Sequence, residues 1–224
     1  MLLIGERCLL ICPIIKNNIL QWKAKNWLKR HILATSIVHD LEISGNLEPY
    51  LQRSLGFGSK FLETYADLRK LCTYTMQREK PVNNPFLQTI FSRLQNFRSN
   101  NLSKLIKFLA NKRWNLENGL WKELENKGII QNQGSQLILI KPEMREALIN
   151  NLHTLFTTRS EMMDAPTRAL LGLLRYSVQW KNSFNGSEWD KKWVKAITRD
   201  DLISHIFNDL KKRHERGGGA PIFV

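Results

Sequence analysis

Apolar residues recur every third or fourth position along most of this chain, and that spacing predicts helices. Ile32, Leu33, Ile37, Leu41 and Ile43 form one stripe, closed at Ser44-Gly45, where glycine suits a left-handed C-terminal cap. Phe61, Leu62, Tyr65, Leu68, Leu71, Cys72 and Met76 predict another helix, ended by Pro81. Phe86, Leu87, Ile90, Phe91, Leu94 and Phe97 predict a third, and Leu102, Leu105, Ile106, Phe108 and Leu109 a fourth. Leu116, Leu120, Trp121 and Leu124 lead to Gly128, a second cap of the same kind.

The pattern then changes. Ile129-Ile130, a polar stretch from Gln131 to Ser135, and Leu137 to Ile140 predict a small β-hairpin. Helical spacing resumes after Pro142 with Met144, Leu148, Leu152, Leu155 and Phe156. Asp164 and Pro166 mark the start of a leucine-rich helix through Leu170, Leu171, Leu173, Leu174 and Val178. Ser187 with Asp190, and Thr198 with Asp201, each fit a capping box. A last helix carries Leu202, Ile203, Ile206, Phe207 and Leu210, and residues 216–224 read as a frayed tail. The expectation is a mainly α, compact single-domain helical bundle with one small β-hairpin, over residues 1–224.

Charge adds what periodicity does not. The 34 Lys and Arg against 20 Asp and Glu leave a net charge of +14 in 224 residues, and such an excess points to a polyanionic partner. The excess is also segregated. Between Glu6 and Asp40 there is no acid, and that interval holds Lys16, Lys23, Lys25, Lys29 and Arg30 around Trp22 and Trp27. Between Glu79 and Glu117 lie Lys80, Arg93, Arg98, Lys104, Lys107, Lys112 and Arg113, followed by Trp114, again without an acid. Lys211, Lys212, Arg213 and Arg216 close the last helix.

Cations beside tryptophan suit a bilayer surface, where indoles sit at headgroup depth and cations meet phosphates. The candidate anion-binding residues are therefore Trp22, Lys23, Lys25, Trp27, Lys29, Arg30, Lys112, Arg113 and Trp114. The expected partner is anionic membrane lipid. Nucleic acid is the alternative, with Leu116 to Glu125 and the following hairpin read as a winged-helix module. Glu117, Glu123 and Glu125 on that helix would repel phosphate.

Catalytic and cofactor patterns are weak. Cys8 and Cys12 have the spacing of half a metal site, but no nearby Cys or His pair completes it, and they read better as small buried residues. The five histidines are scattered. Gly56-Phe57-Gly58 is too short to cradle a phosphate and lacks the P-loop lysine. The expectation is a protein without catalytic residues, metal or cofactor. The apolar opening, Met1 to Ile15, is interrupted by Glu6 and Arg7 and does not read as a signal peptide or membrane span. With three thiols in the chain, it reads as cytoplasmic and peripheral on a membrane surface.

Four segments, in order, resemble the Golgi phosphoprotein 3 family: Ile37 to Leu47 (IVHDLEISGNL), Leu120 to Ile130 (LWKELENKGII), Gln136 to Leu148 (QLILIKPEMREAL) and Asp164 to Phe184 (DAPTRALLGLLRYSVQWKNSF). The likeness covers about residues 32–184. It implies a compact helical domain with a small hairpin, binding to phosphatidylinositol 4-phosphate, and an adaptor role toward the tails of cargo proteins. Counted without gaps from Gly45, the family's headgroup arginine falls on Ala34 and its tryptophan on Lys25. Counted from Gly128, its two further arginines fall on Trp114 and Glu117, beside Lys112 and Arg113.

Overall fold

A computed structural model describes residues 2–51, 72–160, 162–177, 184 and 190–216. Helix dominates, with nine α-helices among these residues. The first, α1 (Ile4–Ile11), is buried on every side. Its ends are satisfied from a distance. The Asp40 carboxylate accepts the Ile4 N–H at 3.0 Å, and the Arg145 guanidinium donates to the Leu10 carbonyl at 2.9 Å.

A tight hairpin follows, β1 (Ile14–Lys16) paired antiparallel with β2 (Ile19–Gln21). Asn17 and Asn18 turn it with φ of 52° and 60°. Both lie in the left-handed region that asparagine tolerates and that two-residue hairpins need.

The long α2 (Asn26–Ile43) is the centre of the molecule. From Ile32 to Leu41 every residue is buried, because helices pack on all its sides. It ends at Gly45, whose φ of 71° suits glycine. A two-stranded antiparallel sheet comes next, β3 (Leu47–Leu51) with β4 (Cys72–Met76), in the register Leu47 to Met76 and Leu51 to Cys72.

Asparagines then start three short elements by accepting a backbone N–H. Asn84 starts α3 (Pro85–Leu94), Asn101 starts α4 (Leu102–Leu109), and Asn111 starts a 3₁₀ turn (Lys112–Trp114). After α5 (Leu116–Asn126), Gly128 takes a φ of 64° and leads to the hairpin of β5 (Ile130–Gln133) and β6 (Gln136–Leu139). Strand β6 also meets β2 at Ile138 and Ile19, giving a four-stranded sheet in the order β1-β2-β6-β5. The helices α6 (Pro142–Thr158), α7 (Ala165–Ser177), α8 (Lys191–Ile197) and α9 (Leu202–Arg216) complete the described chain. The core packs α1, α4, α5, α7 and α9 around α2, and its buried apolar residues form one cluster.

Mainly α is right, but one hairpin is too few. The structure holds two sheets, a four-stranded and a two-stranded one. The helix expected from Phe61 to Met76 is corrected at its end: Cys72–Met76 is strand β4, favoured by the alternating Thr73-Tyr74-Thr75. Residues 61 to 71 of that expectation, Gly56 to Gly58, Val178, Ser187 and 217–224 lie outside the described residues. Ile43 is exposed rather than part of the buried stripe.

Two caps also differ from expectation. Asp190 itself caps α8, accepting the Lys192 and Trp193 N–H groups. Asp201 caps α9 by accepting the Ser204 N–H at 2.9 Å, while the Thr198 hydroxyl donates back to the Val194 carbonyl.

Candidate anion-binding site

The start of α2 and the loop from α4 to α5 meet at a cavity of about 380 Å³. Its floor is apolar: Leu33, Leu109 and Leu116, each a buried residue of the core. Its rim is polar, with Asn26 and Arg30 from the first turns of α2 and Asn111, Lys112, Asn115 and Glu117 from the facing loop and α5. Local rules hold that loop in shape. Asn111 Oδ1 accepts the Arg113 N–H at 3.1 Å, and Asn115 turns the chain at φ 48°. Lys112 and Arg113 are thereby left exposed. The first turn of α2 has no acidic residue and no side-chain cap, so its free N–H groups add positive potential at this end.

The two acid-free intervals therefore come together, Arg30 from one and Lys112 from the other. The third basic cluster arrives at the same end of α2. His214 of α9 lies against the Trp27 ring, centroids 4.0 Å apart and planes 33° from parallel. His31 meets Trp27 edge-on at 6.1 Å, and its Nδ1 lies 2.8 Å from the Trp27 carbonyl oxygen. Burial lowers the His31 pKa, and His214, Arg30 and Lys107 push it the same way. His31 is thus surrounded by cationic side chains from α2, α4 and α9.

The remaining candidates divide. Lys23 and Lys25 are exposed just before α2, and Trp27 is half-buried. Trp22 is 8% exposed and packs into the core. Lys29 lies over it, 5.6 Å from the ring centroid, with its Nζ 3.7 Å from Glu117. These two form an internal contact at the edge of the cavity. Trp114 is half-buried against Phe108, centroids 5.2 Å apart, and Phe108 stacks on Phe97 at 4.6 Å. Arginines cover this aromatic group: Arg113 lies 4.7 Å from the Phe108 centroid and Arg93 5.8 Å from the Trp114 centroid. Sequence patterning named Glu117 only as an acid that would repel phosphate and as a position of the family count, and did not single out the three asparagines of the rim. The asparagines do start or turn their elements, which is their legible signal.

A second constellation has the connectivity of a serine–histidine–carboxylate relay. His39 Nε2 is 3.2 Å from Ser204 Oγ, and its Nδ1 is 3.3 Å from Glu42 Oε2. Ser204 is 1% exposed and His39 2%, so no substrate reaches them in this conformation. The arrangement ties α9 to α2. Among the described residues no group of three or more His, Cys, Asp or Glu side chains could hold a metal ion, and Cys8 and Cys12 are buried. No described helix is long and apolar enough to cross a membrane. The β5–β6 hairpin is not a free wing, because β6 is also paired with β2.

No protein-family model matches this chain, and no curated protein matches it.

Proposed function

We propose that this protein docks peripherally on anionic membrane surfaces and takes a lipid headgroup into the cavity between α2 and the α4–α5 loop. One observation carries the reading: Arg30 and Lys112, far apart in sequence, line a single cavity with an apolar floor. Lys23, Lys25, Lys107 and Arg113 are exposed and supply cations on the flanking segments, and half-buried Trp27 supplies an indole. A cation near an anionic leaflet contributes about 1 kcal/mol, so five engaged side chains give roughly 5 kcal/mol, enough for reversible recruitment.

The resemblance to the Golgi phosphoprotein 3 family supports the same reading and would extend it to phosphoinositide headgroups and an adaptor role. Ala34, where ungapped counting puts the family's headgroup arginine, is buried. Arg30 stands one helical turn earlier on the same side of α2 and lines the cavity. A local shift of one turn would therefore restore a cation to that role.

Nucleic acid draws less support. Base stacking needs open ring faces, whereas Phe97, Phe108 and Trp114 are engaged with one another and covered by Arg93 and Arg113.

Vesicle flotation at physiological salt tests the proposal. Binding to vesicles containing phosphatidylglycerol, and none to pure phosphatidylcholine vesicles, is expected. Equal behaviour with the two would overturn it.

A further inference from the structure

We infer that the headgroup accepted by this cavity is a phosphoserine-type ester, carrying an ammonium as well as phosphate and carboxylate; this rests on the lipid-docking reading above. The reason is Glu117. It stands on the rim with Arg30 and Lys112, where an unmodified phosphodiester would meet its negative charge and be repelled.

Inside the protein the carboxylate sits in the first turn of α5 and is loosely paired. Its ion-pair partner among the described residues is Lys29 at 3.7 Å, beyond hydrogen-bonding reach. Lys29 is itself held over the Trp22 ring. A ligand ammonium at Glu117 would supply the close hydrogen bonds that Lys29 does not.

Charge counting agrees. Arg30 and Lys112, with the Lys29–Glu117 ion pair beside them, leave the site cationic. A phosphoserine headgroup at neutral pH carries phosphate, carboxylate and ammonium, one net negative charge. Each of its groups finds an opposite partner: the anions at Arg30, Lys112 and the start of α2, the ammonium at Glu117. Phosphatidylglycerol has the same net charge but offers Glu117 only hydroxyls. The asparagines Asn26, Asn111 and Asn115 add neutral donors and acceptors for ester and carboxylate oxygens. At about 380 Å³ the cavity falls in the range that holds small ligands.

The experiment compares flotation with phosphatidylserine or phosphatidylglycerol vesicles, at equal mole fraction in phosphatidylcholine, for the native chain and for Glu117→Gln. A preference for phosphatidylserine of roughly fivefold is expected, the size a partly exposed ion pair supplies. Glu117→Gln should level the two lipids, lowering binding to phosphatidylserine and raising binding to phosphatidylglycerol, with its circular dichroism unchanged. Soluble glycerophosphoserine should displace the native chain only in large excess, since it lacks the bilayer that engages the flanking lysines. Displacement at equimolar ester would place the ligand in solution and overturn the lipid assignment. Equal binding to the two lipids by the native chain, or a phosphatidylserine preference that survives Glu117→Gln, overturns the inference but leaves docking intact. Absence of binding to either vesicle defeats the docking proposal itself.

Discussion

Asp40, in the last turn of α2, receives the Ile4 N–H at 3.0 and 3.2 Å and so caps a helix that begins 36 residues earlier. The contact is buried, and burial raises the Asp40 pKa from 3.8 to about 7.

The first prediction follows from that shift. The native state holds a proton on Asp40 at pH values where the unfolded chain has released it. Stability therefore falls as pH climbs from about 4 to about 7. The full shift corresponds to roughly 4 kcal/mol, at about 1.4 kcal/mol per pH unit. His39 acts in the same direction. Burial alone would lower its pKa, but Asp201 and Glu42 raise it, so its contribution is present at acid pH and lost as pH rises through the folded value. Urea titrations should show a more stable protein at pH 5 than at pH 8. Asp40→Asn, which keeps an oxygen for Ile4, should flatten much of the slope. A slope unchanged by that substitution would remove Asp40 from the explanation.

Glu6 gives the second prediction. It is fully buried, accepts the Leu3 N–H at 2.6 Å and is paired with Lys127 at 2.5 and 2.6 Å. Lys127→Met leaves a buried carboxylate without its cation and should cost about 3 kcal/mol. The double change Glu6→Gln with Lys127→Met should recover most of that loss. Chemical denaturation of both variants checks the pair, and an equal loss in each would contradict it.

A third prediction concerns the closeness of α7 and α9. A methyl group at Gly172 would run into the Asp201 carboxylate and the Ser204 hydroxyl. Gly172→Ala should push α9 outward, stretch the His39–Ser204 contact and cost about 1–3 kcal/mol, as overpacking does. Unaltered stability would mean that α9 shifts freely on α2 and α7.

Particular residues show how far the chain could be read unaided. Helices α2 to α7 and α9 were legible because each carries apolar residues at three- and four-residue spacing and many have a marked end, such as Gly45, Gly128 or Pro142. α1 was not. It is buried all round, so it has no polar face, and its apolar residues carry no period. The β1–β2 hairpin is too short for alternation to register, and Asn17-Asn18 is its only sign. β4 was missed because Cys72 and Met76 fit a helical spacing as well as a strand.

The site was legible as charge but not as geometry. Acid-free intervals identified Arg30 and Lys112. Which tryptophan is sealed, Trp22, and which acid joins the rim, Glu117, depend on how α2 packs against the α4–α5 loop. Spacing along the chain carries no record of that.

The most direct test of the central claim is charge reversal at the cavity, Arg30→Glu with Lys112→Glu, against the same change at the exposed Lys191 and Lys195 of α8. Binding to anionic vesicles is measured at physiological salt, with folding checked by circular dichroism. The cavity pair should lose binding by at least roughly 30-fold, about 1 kcal/mol for each cation removed, while the α8 pair stays within a few-fold of the native chain. Equal losses from the two pairs would mean that net charge alone drives binding and that the cavity is not the docking site.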